Sequence, residues 1–351
     1  MNTPPPPMPS SARRGLSTLG WIVVALIVHG CATPPPRPPA PEPVARVDGA
    51  RVLGRDEDFA IVVPRAGDDA ASLAQQYLGD PRKDWWITEY SGGAEIRPGQ
   101  AVVIPLKPHN AIGVYHDGFQ TVPVLCYHRF GSRASKLTVT PAAFTAQMDY
   151  LARNGYHVLT LAQLADFVGG KVALPKKSVL ITIDDGYRAT YDIAYPILKK
   201  YGFPATVFLY SDFVGAGDAL TYPQMKELIA SGLVEIQPHS KTHSNLTLRL
   251  VDETEAKYRD RLRREVDVPI DTIRDRLAVP SLAYAYPYGD VNDAVVDLMT
   301  RKGVKLGMTV TPGGNGFFAY QYMLRRSMVF GDEDLEKFKT KLQTFVRMPG
   351  R

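Results

Sequence analysis

The chain is 351 residues long, too long for one small domain and long enough for a barrel-sized core plus an accessory module. Hydrophobic residues make up 45% and charged residues 22%, a globular balance that excludes a disordered chain and a multi-span membrane protein. Lys and Arg number 41 against 36 Asp and Glu, a net charge of +5 compatible with anionic polymers; no aromatic and basic stripe accompanies it, so nucleic acid is not an expected partner.

At the N-terminus, Arg13 and Arg14 precede an apolar run from Leu19 to Val28, then Gly30 and Cys31. This is the layout of a signal peptide over residues 1–30. The run is about 10 residues, short of the roughly 20 that cross a bilayer. Val28-His29-Gly30-Cys31 resembles a bacterial lipobox, with His29 where a small or hydroxyl residue is usual. The resemblance implies export, acylation of Cys31 and membrane attachment through it. Ala32 then implies sorting to the periplasmic face of the outer membrane in a host with two membranes. Pro34 to Pro43 cannot fold and reads as a polyproline II spacer, so residues 31–50 are a lipidated cysteine and linker. Cys126 is the only other cysteine, which excludes a disulfide scaffold, and its apolar run Val122 to Tyr127 suits a small buried side chain.

Residues 59–106 carry the order βααβ: a strand near Ala60-Ile61-Val62-Val63, helices Ala70 to Tyr77 and Trp85 to Tyr90, and a strand Ala101 to Ile104. With Gly67-Asp68 opening the first helix and Pro98-Gly99-Gln100 before the last strand, the segment resembles a LysM glycan-binding module. Tyr90, Ser91 and two glycines stand where that family usually has Asn. Trp85 and Trp86 can stack on sugar rings, with one of them expected in the core.

From Thr121 onward, short apolar runs alternate with amphipathic helices, the pattern of parallel strands with helical crossovers. Strands are expected at Val122 to Tyr127, Val158 to Leu159, Val179 to Ile183, Ala205 to Leu209, Val234 to Gln237, Leu282 to Ala285 and Leu306 to Thr309. Helices fall at Ala142 to Asn154, Tyr191 to Tyr201, Tyr222 to Ser231, Asp252 to Glu265 and Asn292 to Lys302, with Asp252 and Glu255 as a capping box. The fold class is α/β, a distorted (β/α)7-type barrel over residues 118–346 with the small βααβ domain before it; an open doubly wound sheet is the alternative.

In such barrels chemistry sits at the C-terminal ends of strands. One strand ends in Asp184-Asp185-Gly186, where one carboxylate can bind a metal while its neighbour stays free as a base. The next but one ends in His239-Ser240-Lys241-Thr242-His243, whose histidines, four apart, face the same way on a helical turn. Joined to Asp185 they make a His-His-carboxylate set that leaves coordination positions open. A third strand ends in Tyr286-Pro287-Tyr288-Gly289-Asp290.

Together with Val122 to His128, Ala285 to Gly289 and Thr311-Pro312-Gly313-Gly314-Asn315, these motifs resemble the polysaccharide deacetylases of carbohydrate esterase family 4, in their poly-N-acetylglucosamine branch. The resemblance covers roughly residues 120–330. It implies hydrolytic N-deacetylation of N-acetylhexosamine units in an N-acetylglucosamine polysaccharide or peptidoglycan. It also implies a divalent metal, Zn2+ first, with Co2+, Ni2+ or Fe2+ as alternatives, on Asp185, His239 and His243. Asp184 is then the general base and the Tyr288 backbone N–H an oxyanion donor. Ala285 stands where many members have Arg, and Arg326 is the candidate replacement near Asp184. No histidine follows His243, so the leaving amine takes its proton from His128 or from Asp184 itself, with His128 as a structural strand-end residue the other reading. Tyr286 and Tyr288 are either rim packing or sugar contacts, Asp290 a helix cap, and His157 structural. An O-acetyl polysaccharide esterase, and a non-catalytic wall-glycan-binding lipoprotein, are the alternative functions.

Overall fold

All six residues of the strand Val122–Tyr127 are buried, as are all eight of Ser178–Asp185 and all five of Ala205–Leu209. Strands buried on both faces need layers on both sides, which is what a parallel sheet with helical crossovers supplies. In the computed structural model, which describes residues 50–348, these runs pair in parallel. Val234–Pro238 extends the sheet beyond Ala205–Leu209, and the short strand Ser327–Met328 flanks Val122–Tyr127 on its other side. The expected signal peptide, Cys31 and proline spacer lie outside the described residues.

Ala283–Ala285 and Leu306–Met308 form a separate parallel pair, joined to the Ser327 side by a bridge between Met308 and Leu324. Toward Val234–Pro238 no backbone ladder joins them among the described residues. A side chain spans that seam: Gln237 Oε1 accepts from the N–H groups of Leu282 and Ala283 at 2.8 and 3.1 Å, and its amide nitrogen donates to Pro280 O at 3.3 Å. The α/β class therefore stands, while backbone pairing draws an interrupted arc rather than a closed barrel.

Crossover helices start where side chains cap them. Thr140 caps Pro141–Arg153, Thr160 caps Leu161–Val168, Thr221 caps Tyr222–Ala230 and Asn292 caps Asp293–Arg301. The helix expected from Asp252 instead begins at Glu255, capped by Thr254, because Asp252 has φ 58°. It runs to Leu277 through Pro269, past the end expected at Glu265, because Tyr258, Leu262, Val266, Ile270 and Ile273 form a continuous buried stripe. The expected helix from Tyr191 opens instead as a π-turn over Thr190–Ala194 before Tyr195–Tyr201.

The N-terminal unit has the expected βααβ core, with strands Phe59–Val63 and Val102–Pro105 and helices Ala70–Leu78 and Asp84–Tyr90. An additional strand, Arg51–Arg55, makes its antiparallel sheet three-stranded. Its core is Ala60, Val62, Leu73, Ala74, Ile87, Val102 and Ile104, with Ala50. Neither Trp85 nor Trp86 belongs to that core, against the expectation for one of them, because Ile87 fills the space. The unit packs in one compact body with the larger domain, and Glu89 Oε1 accepts from the backbone N–H of Lys176 at 2.7 Å.

Candidate functional site

Three chain segments bring their polar ends together at the C-terminal edge of the sheet. Ser178–Asp185 ends by turning at Asp185, whose φ is 73°. His239 follows Val234–Pro238 directly, and its N–H donates to Leu209 O at 2.8 Å. The segment after it is not the expected helical turn: Ser240 and His243 have φ of 87° and 63°, and Ser240 Oγ accepts from the His243 N–H at 2.9 Å. The two imidazoles still converge, with ring centroids 5.0 Å apart.

Asp185 Oδ1 lies 3.3 Å from His243 Nε2 and 3.8 Å from His239 Nε2. One ligand atom from each of the three residues falls within 4.8 Å of the others. Asp185 Oδ1 is buried, and the three ligand atoms are close enough to share one cation. His239 Nδ1 is 2.8 Å from Ala285 O; as the N–H donor it presents the Nε2 lone pair to the site. Burial holds the His239 pKa below its ordinary value despite Asp184 and Asp185, which favours the neutral ring a ligand requires. For His243, burial is outweighed by Asp185 and the pKa is raised. Two imidazole nitrogens and one carboxylate oxygen suit zinc and neighbouring divalent transition metals.

Asp184 is fully buried but differently engaged. Arg326, also fully buried, grips both its oxygens, Nη1 to Oδ1 at 2.6 Å and Nη2 to Oδ2 at 2.8 Å. Arg326 is itself held by Thr309 O at 2.9 Å and Thr182 Oγ1 at 3.3 Å. Burial pushes the Asp184 carboxyl up, but Arg326 and then His239 outweigh it and hold the pKa well below the usual range. Cys126, buried as expected, adds a third donor, its Sγ being 3.4 Å from Oδ2. His128 lies on the same side, its ligand atom clustered with those of Cys126 and Asp184, and its Nδ1 is buried without a partner. The structure thus brings together Asp184, Asp185, His239, His243, His128 and Arg326.

Tyr288 stands at the rim, 61% exposed, with its ring 5.0 Å from that of His243 and a left-handed backbone at φ 62°. The next residue must be glycine: a Cβ on Gly289, at φ 81°, would sit 2.7 Å from Val310 N. Tyr286 is no sugar contact, since it is fully buried with its hydroxyl donating to Tyr322 O at 2.8 Å. Asp290 does not cap the following helix, a task Asn292 performs; it accepts from Asn245 Nδ2 at 2.6 Å. His157 pairs with Ser178, at the opposite end of the strand from Asp185.

Glu265 was not singled out from the sequence, yet it organises the histidine loop. Its Oε2 accepts from the N–H groups of Lys241 and Thr242 at 3.0 and 2.9 Å, and its Oε1 from Thr242 Oγ1 at 2.7 Å. The available signal was an acidic residue on the buried stripe of its helix. Glu265→Ala is expected to lower metal affinity by about 10–100-fold, as loss of an outer support does. Competition against a chromophoric chelator measures this, and unchanged affinity would mean the loop holds itself.

Replacing Arg326 leaves Asp184 buried and unpaired, which costs about 3–5 kcal/mol where one partner of a buried ion pair is removed. With Arg326 gone, the largest group opposing burial is lost and the Asp184 pKa rises, although His239 and His128 still act against it. Arg326→Met is therefore expected to melt at lower temperature than the parent and to lose further turnover at the acid end of the range, where Asp184 begins to protonate; a variant as stable and as active there as the parent would detach Arg326 from the base.

The sequence pattern of the polysaccharide deacetylase family matches residues 171–307. YxkH of Bacillus subtilis (strain 168), named for the polysaccharide deacetylases, is 30% identical over 208 residues, covering 59% of this chain and 71% of its own length. The poly-beta-1,6-N-acetyl-D-glucosamine N-deacetylase of Escherichia coli (strain K12) is 26% identical over 56% of this chain, which spans only 34% of that protein's length. Among solved structures, the deacetylase PplD of Streptococcus pyogenes in complex with acetate aligns with TM-score 0.57 and 26% identity over 64% of this chain and 98% of its own. IcaB of Ammonifex degensii gives 0.55 and 27% over 62% and 95%. The chain belongs to the polysaccharide deacetylase family, whose named members are hydrolases acting on carbon–nitrogen bonds. Within that family it is homologous to the poly-N-acetylglucosamine deacetylases.

Proposed function

We propose that this protein is a metal-dependent hydrolase that removes acetyl groups from N-acetylhexosamine units of an envelope or extracellular polysaccharide. The observation that carries the reading is the division of labour between adjacent carboxylates: His239 Nε2 lies 3.8 Å from both, but Asp185 alone meets His243, while Asp184 alone is gripped by Arg326. A divalent cation held by Asp185, His239 and His243 supplies Lewis acidity toward water and the amide carbonyl. Asp184, ionised and fixed by Arg326, accepts the proton of the attacking water. The Tyr288 N–H donates to the developing oxyanion. The leaving amine takes that proton back from Asp184, directly or through His128 beside it, the role for which the chain has no later histidine.

Residues 59–106 are read as a LysM-like glycan-binding module, and Cys31 as the lipidated residue of an exported protein on the periplasmic face of the outer membrane. Cys31→Ser is expected to abolish fatty-acid labelling and release the protein from membranes; continued tight retention would replace the lipid anchor with an uncleaved helix. For the activity, purified protein is assayed for acetate release from β-1,6-linked N-acetylglucosamine oligomers, chitin oligomers, peptidoglycan and O-acetylated xylan, before and after chelation. Amine release that stops on chelation and returns with Zn2+ supports the proposal. Acetate without new amine makes the protein an O-acetyl esterase, and binding without release makes it a glycan-binding lipoprotein.

A further inference from the structure

A cleft of about 220 Å³ opens where the N-terminal unit meets the larger domain; Lys176 of its lining precedes the strand Ser178–Asp185, whose far end carries the two carboxylates. One wall is the helix Asp84–Tyr90 and the segment after Val102–Pro105; the other comes from Tyr115, Ala173 and Lys176. Aromatic rings dominate it. Trp86, Tyr90 and His109 line the first wall and Tyr115 the second. The hydrophobic core of the N-terminal unit is complete without these residues, so packing of that unit does not explain them. Tyr90 is 48% exposed, and its ring leans on His109 at 5.4 Å, which in turn stacks on Phe59 at 4.8 Å. Tyr90 is thus braced yet half exposed, while Lys83 Nζ lies over the Trp86 ring at 5.0 Å from its centroid.

A carboxylate lies within this aromatic lining. Glu89 is largely buried, which raises its pKa. Its Oε1 is committed to the Lys176 N–H at 2.7 Å. Lys107 is occupied by Asp58 at 3.0 Å, and Lys176 Nζ lies 5.5 Å from the Tyr115 ring. The lining therefore offers flat apolar faces, one carboxylate acceptor and one ammonium donor at close to zero net charge.

We infer that this junction cleft is a second saccharide site, which holds one uncharged N-acetylhexosamine ring of the polymer away from the catalytic centre. Aromatic faces take the C–H face of the sugar, while Glu89 and Lys176 take its hydroxyls and acetamide. A lipid tail would leave the second Glu89 oxygen, Oε2, against an apolar chain, and the space is too small for a peptide helix. Because both walls are needed, the site exists only when the two parts are joined. A chain held there presents its other units to the catalytic centre at raised effective concentration. The inference rests on the proposed substrate class, N-acetylhexosamine polymers.

The test uses the full chain stripped of metal, titrated calorimetrically with pentamers of β-1,6-linked and of β-1,4-linked N-acetylglucosamine. Tyr90→Ala and Tyr115→Ala, one from each wall, are each expected to weaken binding about tenfold, the scale of one lost aromatic contact. Glu89→Gln reports on the polar recognition, and thermal melts confirm that each variant is folded. With metal restored, the same variants are expected to raise KM for the polymer about tenfold while leaving kcat, and turnover of a disaccharide, unchanged. Folded variants that bind the pentamers as tightly as the parent, or a parent that binds neither, overturn the second site. Deacetylation with unaltered polymer KM in both variants overturns it while sparing the proposed activity. Binding lost in the variants of a protein that releases no acetate upholds the site and refutes the activity.

Discussion

His239→Ala is expected to empty the cation site and abolish acetate release together. His239 offers Nε2 within 3.8 Å of Asp185 Oδ1, and its orientation is locked from behind by Ala285 O. Losing the ring removes one of the three donors assigned to the cation, so the effect should exceed the roughly 10–100-fold that loss of an outer support costs in affinity. It also leaves Asp185, already buried, facing His243 alone. His239→Gln keeps much of the volume without an imidazole and separates ligation from packing. Metal content by emission spectroscopy and acetate release, read on the same samples, decide the matter. Full activity in metal-free His239→Ala would sink the metal assignment.

Asp184→Asn is expected to keep the fold and nearly all the metal while cutting turnover by about 10²- to 10⁴-fold, the range for a general base. The amide preserves shape but accepts no proton. Arg326 then faces a neutral partner, so some stability is lost, and a melting curve should accompany the kinetics. KM should change far less than kcat, because the base acts mainly in the transition state. The low pKa enforced by Arg326 has a further reading in the parent enzyme. Asp184 stays ionised through the working range, so the acid limb should follow protonation and loss of the histidine ligands. Metal lost from Asp184→Asn in proportion to activity would make Asp184 a ligand or a structural support.

The donor set was legible because each member sits at the end of an apolar run that could hardly be anything but a strand. Ser178–Asp185 and Val234–Pro238 end where the hydrophobic pattern stops, and polar residues there have no packing reason to be present. Arg326 was legible only through the family resemblance, which has Arg where this chain has Ala285 and so left a cation near Asp184 to be found elsewhere. Glu265 and Gln237 were not legible, because their partners are backbone atoms brought near only by the finished fold. The course of the long helix through Pro269 was hidden for the opposite reason. A local rule ends helices at proline, and only the buried stripe continuing to Ile273 and Leu277 overrides it. Whether the strands close into a ring was not legible, since strand count says nothing of whether a seam closes with backbone or with one glutamine amide.

Asp185, Ser240, His243 and Tyr288 all hold left-handed backbones that side chains disfavour. Conformations of this sort cost on the order of 1–3 kcal/mol each, and they lie at or beside the residues assigned to metal, loop and rim. Natural variation filtered for heat tolerance alone would drift toward glycine or asparagine at these four positions, where relief is greatest. The catalyst would be erased by that drift before the fold failed. Directed evolution of a hardier version should therefore hold these positions fixed and seek its gains in the helical layer, where tolerance and turnover are not in conflict.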